Sequence, residues 1–250
     1  MILNRLIPIV VVSVIAASII QSVLQQPATE SSRSEFSEPV VPNWSAIAAW
    51  PSLEATQVEA APDPNRLITA IVLDDSGSMG SDIVPAKAAI VATLDGMADD
   101  DRVAVLTLNQ GTVWQFSSVA DARSGLAQAL APIDSNGSTP LTNAVNQARG
   151  LLEAEASIVR GFGTFRVIVT TDGIADDGAA LNLAVASLAE TTPIQITTIG
   201  IGISGGRVLR RDDLGTFVDV ENVDALQSAL QAAVAENTDF TAITDFGEDG

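Results

Sequence analysis

Asp74, Ser76 and Ser78 stand at alternate positions of one short loop, Asp74-Asp75-Ser76-Gly77-Ser78-Met79, which follows directly on the apolar run Leu67 to Leu73. Spacing by two turns both hydroxyls the same way as the carboxylate if the backbone stays roughly extended, and Gly77 lets the loop turn sharply. Three converging oxygens suit a cation. Two more fragments carry similar chemistry. Gly137-Ser138-Thr139-Pro140-Leu141 immediately precedes a strong helical pattern, with Pro140 suited to the first turn and Thr139 to the cap. Val167 to Gly173, reading VIVTTDG, has the pattern of a buried strand that ends in Asp172 and a glycine. Each fragment has an ordinary explanation when taken alone: serine and glycine crowd many loops, Thr139 can cap a helix, and Asp172 can serve a turn.

What is missing narrows the chemistry further. The 250 residues include no Cys and no His, which excludes disulfides, thiolate nucleophiles, Ser-His-Asp triads and zinc sites built on His or Cys. Carboxylates, hydroxyls and carbonyls remain, the ligand set of Mg²⁺ and Ca²⁺. Twelve basic against thirty-one acidic residues give a formal net charge of -19. Such a surface repels phosphate backbones and argues against nucleic-acid binding.

The elements that must position these residues can be read from hydropathy. Leu67 to Leu73 is a nearly continuous apolar strand, followed by a helical stretch from Ile83 to about Met97. Arg102 to Leu108 and Thr112 to Phe116 form a hairpin about the turn Asn109-Gln110-Gly111. Helical patterns recur at 121 to 131, 140 to 158, 178 to 188 and 223 to 235, with strands at 165 to 171, 194 to 201 and 217 to 220. This alternation predicts an α/β fold: a doubly wound, mostly parallel six-stranded sheet with one antiparallel edge strand and helices on both faces. Its ligand edge lies at the carboxyl ends of the strands. Asp99, Asp100 and Asp101 read as a solvated turn between helix and strand.

Four segments are expected. Residues 1–26 carry the uncharged apolar run Leu6 to Leu24, long enough to span a bilayer, and read as a signal anchor or a cleaved signal peptide. Arg5 before it and the glutamates after it place the bulk of the chain outside the cytoplasm, membrane-anchored, or secreted if the segment is cleaved. Residues 27–64 are a Pro/Ser/Glu-rich linker whose Trp44 and Trp50 can dock on a partner, on the membrane interface or back on the folded domain. Residues 65–236 form the domain and 237–250 an acidic tail.

Taken together, DDSGSM at 74–79, GSTPL at 137–141 and TTDG at 170–173 resemble, in order and spacing, the three parts of the metal-ion-dependent adhesion site of von Willebrand factor A (vWA) domains. The resemblance covers about Asn65 to Glu236 and implies a Rossmann-like vWA fold. It implies metal ligands at Asp74, Ser76, Ser78, Thr139 and Asp172, with Mg²⁺ as the cation, or else Mn²⁺ or Ca²⁺. It further implies a non-catalytic role in binding or adhesion, in which another protein supplies an Asp or Glu carboxylate to the ion. In the family the last helix, here Val223 to Ala235, can shift with the loops.

Other classes have footholds of their own. Asp75-Ser76-Gly77 resembles the active-site triplet of aspartic proteases, which would need a homodimer that the α/β pattern disfavours. Asp74 at a strand end resembles the nucleophile of haloacid-dehalogenase-type phosphatases, yet Ser76 stands where their second Asp belongs. A structural envelope protein, whose ion only stiffens loops, is the third possibility.

Overall fold

The structure, a computed structural model, describes residues 39–202, 209–211 and 213–235. The apolar run Leu6 to Leu24 and the acidic tail 237–250 lie outside these residues. Among the described residues no helix is long and apolar enough to cross a membrane.

Six strands form one sheet: β1 (Leu67–Leu73), β2 (Arg102–Thr107), β3 (Gly111–Ser118), β4 (Thr164–Thr171), β5 (Gln195–Ile201) and β6 (Thr216–Val220), in the order β3-β2-β1-β4-β5-β6. All neighbours pair in parallel except β2 and β3, whose hairpin makes β3 the antiparallel edge. The doubly wound, mostly parallel α/β sheet read from the sequence is therefore the fold observed.

β1 shows why its sequence is apolar throughout. Side chains alternate across a strand, and Ile71 and Leu73 enter one core while Ile68, Ala70 and Val72 enter the other. The first core is closed by α2 (Ile83–Thr93), α3 (Val119–Leu130) and α6 (Leu226–Ala235), the second by α4 (Leu141–Ile158) and α5 (Gly178–Thr191). A strand covered by helices on both faces has no place for alternating polar residues.

Two helices stop or start differently from the hydropathy reading. α2 ends at Thr93 and continues as a 3₁₀ turn, Leu94–Gly96, rather than running on to Met97. Arg123 of α3 donates to the carbonyls of Leu94 and Met97 at 2.8 and 2.7 Å, so a side chain from another helix satisfies the acceptors that a longer helix would have used internally. At the other end of the domain, Val223–Ala225 is a 3₁₀ turn leading into α6, with the Asn222 side chain accepting from the amides of Asp224 and Ala225.

The acidic turn also departs from its expected solvated state. Asp101 is buried, and its carboxylate accepts from the amides of Leu67 (2.8 Å) and Ala98 (2.9 Å), tying the start of β1 to the turn before β2. Asp99 remains exposed and pairs with Arg123.

Residues 39–64 lie back on the domain. A short helix, α1 (Trp44–Ala48), is capped by Asn43, whose amide donates to the Glu190 carbonyl at the end of α5 (2.8 Å). Trp50 meets Phe165 edge to face at 4.8 Å between centroids, at the start of β4. Farther on, the Glu59 amide donates to the carbonyl of Ile158 at the end of α4. These contacts fall at the amino ends of the strands. Trp44 itself is exposed.

Truncating Trp50 to alanine should remove the edge-to-face contact and the apolar cover over Phe165, at a cost of about 2 kcal/mol in urea unfolding. An unchanged midpoint would show that residues 39–64 are not part of the folding unit. Glu155 gives a second test. It is buried beside Arg102 at 2.9 Å, and burial raises its carboxyl above the ordinary value despite the opposing guanidinium. The folded state thus holds this proton more tightly than the unfolded chain, so the contribution favours folding most below the unfolded value near 4.5 and weakens as pH climbs through the raised one. Unfolding measured from pH 4 to 7 should show Glu155→Gln gaining stability relative to wild type as pH rises.

Candidate functional site

The strand order reverses between β1 and β4, and the crevice at their carboxyl ends is where open α/β sheets take ligands. Three loops meet there. The first leaves β1 at Asp74, the third leaves β4 after Thr171, and the second lies between α3 and α4. Parallel register sets the first and third side by side: Val72 pairs with Val169, so Asp74 falls beside Thr171. The Thr171 hydroxyl donates to Asp74 Oδ2 at 2.7 Å, and the Ser76 amide donates to Oδ1 at 2.8 Å.

The sequence-predicted residues come together. Ser76 Oγ and Ser78 Oγ are 3.0 Å apart, and Ser78 Oγ donates to Asp172 Oδ1 at 2.7 Å. Thr139 joins them across Gly173, where an added Cβ would lie 3.3 Å from Thr139 Oγ1 and 3.8 Å from Ser78 Oγ. A side chain at Gly173 would crowd both hydroxyls. Among the described residues no group of three or more Asp, Glu, His or Cys side chains is gathered to hold a metal ion. The convergent set here is two carboxylates and three hydroxyls.

Burial grades across the set. Asp74 and Ser76 are inaccessible, Thr139 is nearly so, Asp172 is half-buried and Ser78 is exposed. Desolvation is the main cause that raises the Asp74 carboxyl above its ordinary value; hydrogen bonds from Ser76 and Thr171 pull it back, and the charge of Asp172 adds to the rise. Full burial leaves Asp74 poorly placed for in-line attack on a phosphoryl group, which counts against the phosphatase alternative, while each oxygen, accepting one hydrogen bond, keeps a further lone pair.

Asp75, the second acid of the first loop, binds the second loop. It is fully buried, and Oδ1 accepts from the Asn109 amide (2.9 Å) and Nδ2 (3.0 Å). Asn109 Nδ2 also donates to the Ser138 carbonyl, while the Asp75 carbonyl accepts from the Asn136 amide at 2.7 Å. A further bond runs from the Gly77 amide to the Gly137 carbonyl at 3.1 Å. Asp75 therefore faces away from the converging hydroxyls and holds the second loop against the first. The sequence reading missed Asn109, taking it only as a turn residue of the β2–β3 hairpin; its partners lie 34 and 29 positions away and leave no local signal.

The third loop is braced to the second as well. The Thr139 amide donates to Asp176 Oδ1 and the Asp176 amide to the Thr139 carbonyl, both at 3.1 Å. Thr139 is thus held by its own backbone on the third loop, rather than serving as a side-chain cap; the residue before α4 is Pro140.

An open sheet with ligand loops gathered at its topological switch defines a class of α/β binding domains. Comparison with known proteins narrows it. Residues 70–249 match the von Willebrand factor type A domain, well over half of the chain, and the protein belongs to that family. Family membership is consistent with a non-catalytic role in adhesion or structure. No curated protein matches. Among solved structures, a von Willebrand factor type A protein of Catenulispora acidiphila is 22% identical over 68% of this chain and 42% of its own, with a TM-score of 0.59. Proximal thread matrix protein 1 of the mussel byssus, with a zinc-occupied MIDAS motif, is 18% identical over 70% of this chain and 48% of its own, TM-score 0.57. The manganese-loaded TRAP protein of Plasmodium vivax is 15% identical over 68% of this chain and 74% of its own, TM-score 0.50. This chain spans less than half the length of the first two, and the likeness is one of fold.

Replacing Asn109 with alanine should cost about 1–3 kcal/mol, because the buried Asp75 carboxylate loses the side-chain donor that it shares with the exposed Ser138 carbonyl. Chemical denaturation would read the loss; a change within experimental error would mean that the loops are held without this clamp.

Proposed function

We propose that the chain binds a divalent cation, Mg²⁺ by preference, through Asp74, Ser76, Ser78, Thr139 and Asp172, and uses it to capture a carboxylate of another protein. The observation that carries this reading is the spacing of the hydroxyls. An octahedral ion with ligands near 2.1 Å requires neighbouring oxygens about 3.0 Å apart, and Ser76 Oγ and Ser78 Oγ are 3.0 Å apart. The hydrogen bond from Ser78 to Asp172 fits the same role: the hydroxyl proton is directed to the carboxylate, leaving a lone pair for an ion.

Charge explains the partner. Two carboxylates can only just balance a divalent ion, and three of the five ligands are neutral hydroxyls. Mg²⁺ keeps waters where the protein offers no donor, and a partner's Asp or Glu would replace such a water with a charged oxygen. Two of the related folds contain zinc at a MIDAS motif and manganese, which supports a divalent ion for this chain as well. Residues 1–26 would hold the domain at a membrane outside the cytoplasm, or be removed to release it.

Thermal unfolding of the full chain, with and without Mg²⁺, Mn²⁺ or Ca²⁺, tests the site. Stabilisation should grow with free ion as mass action requires, and EDTA should reverse it. Asp172→Ala should abolish the shift while leaving the ion-free unfolding temperature close to wild type, since Asp172 is only half-buried. Equal stabilisation of wild type and Asp172→Ala by the ions would sink the proposal.

A further inference from the structure

Among the described residues, the exposed surface beside the proposed cation site combines small residues with the polar side chains of Asn109, Asn136 and Asp176. Gly77, Ser78, Gly137 and Ser138 are exposed there, and Gly173 lies between Thr139 and Ser78. Ile174 is the exposed apolar side chain of the third loop. It stands two residues from Asp172 and is 73% exposed, although it follows a buried strand and precedes Ala175, which packs on the core.

The loop that carries Ile174 is held by hydrogen bonds on either side. Before it, the Gly173 amide donates to Thr171 Oγ1 at 3.2 Å; after it, Asp176 is bonded twice to Thr139, and Asp177 caps α5 by accepting from the Ala180 amide at 3.0 Å. The loop is thus hydrogen-bonded on both sides of Ile174. An apolar side chain held out by a braced loop loses little freedom when it is covered, so its burial counts toward binding rather than toward ordering.

We infer that Ile174 is a specificity determinant of the same site: the captured segment carries its Asp or Glu next to a branched aliphatic or aromatic residue that covers Ile174. This rests on the proposed carboxylate capture and adds the identity of the neighbouring residue. The glycines and serines of the rim let a peptide backbone approach closely, so that a residue beside the captured carboxylate can reach Ile174. Scattered exposed apolar residues are common on proteins. What separates Ile174 is its place, next to a site side chain on a loop pinned at both ends.

The experiment is selection of a random heptapeptide display library on the full chain in Mg²⁺, with elution by EDTA, carried out in parallel on Ile174→Ser. Wild type should enrich an acidic residue flanked by leucine, isoleucine, valine or phenylalanine. The variant should keep the acidic residue and lose the apolar neighbour, and a selected peptide synthesised singly should bind it about five- to tenfold more weakly. Mg²⁺ affinity, read by the thermal shift, should be the same for both proteins. Acidic peptides with no apolar preference, or an apolar preference that persists in Ile174→Ser, would overturn this inference alone. If no EDTA-sensitive acidic peptide is enriched, carboxylate capture itself fails and this inference with it.

Discussion

The arrangement at the sheet edge depends on one buried interaction, the Thr171 hydroxyl on the Asp74 carboxylate at 2.7 Å. A fully buried acidic side chain is costly unless it is well hydrogen-bonded. Here the donors are the neighbouring strand's hydroxyl and an amide of the acid's own loop. The first depends on the parallel register of β1 and β4: a slip of one residue would turn Asp74 to the opposite face, away from Thr171. Two apolar cores, one on each side of the sheet, enforce that register, because the alternating side chains of β1 and β4 are committed to opposite helical layers.

From that fixed point the other loops are held by polar contacts. Asp75 and Asn109 join the second loop to the first, and Thr139 with Asp176 joins the second to the third. Every one of these contacts uses a backbone group on at least one side, or a side chain that serves two loops at once. The hydroxyls of Ser76, Ser78 and Thr139 are consequently placed by residues other than themselves. Such preorganisation matters for a site made of weak neutral donors, since a hydroxyl that must first be ordered contributes little to holding an ion.

The domain separates support from recognition along the strand axis. Residues 39–64 strap the amino ends of the strands through Asn43, Trp50 and Glu59, whereas the converging hydroxyls and Ile174 occupy the carboxyl ends. Buried polar links also close the layers at the strap end, with Asp101 tying β1 to the turn before β2 and Arg166 of β4 reaching the Ala233 carbonyl of α6.

Much of this was written in local pattern. The continuous apolar runs of β1 and β4, the hairpin at Asn109 to Gly111 and the helical periods specify a doubly wound sheet, because a strand buried on both faces must be apolar throughout. The spacing of Asp74, Ser76 and Ser78 and the fragments around Thr139 and Asp172 name the candidate site, since short-range spacing sets which way side chains leave a strand end. Other features had no local signature. The burial of Asp75 and Asp101, the bridging role of Asn109, the early end of α2 and the seat of Trp50 on Phe165 each depend on a partner far away in the chain. Charge and hydropathy describe a residue by itself, so an aspartate in an acidic run reads as solvated until the fold brings two backbone amides to it; only the packing of layers decides which polar groups are left to pair with one another.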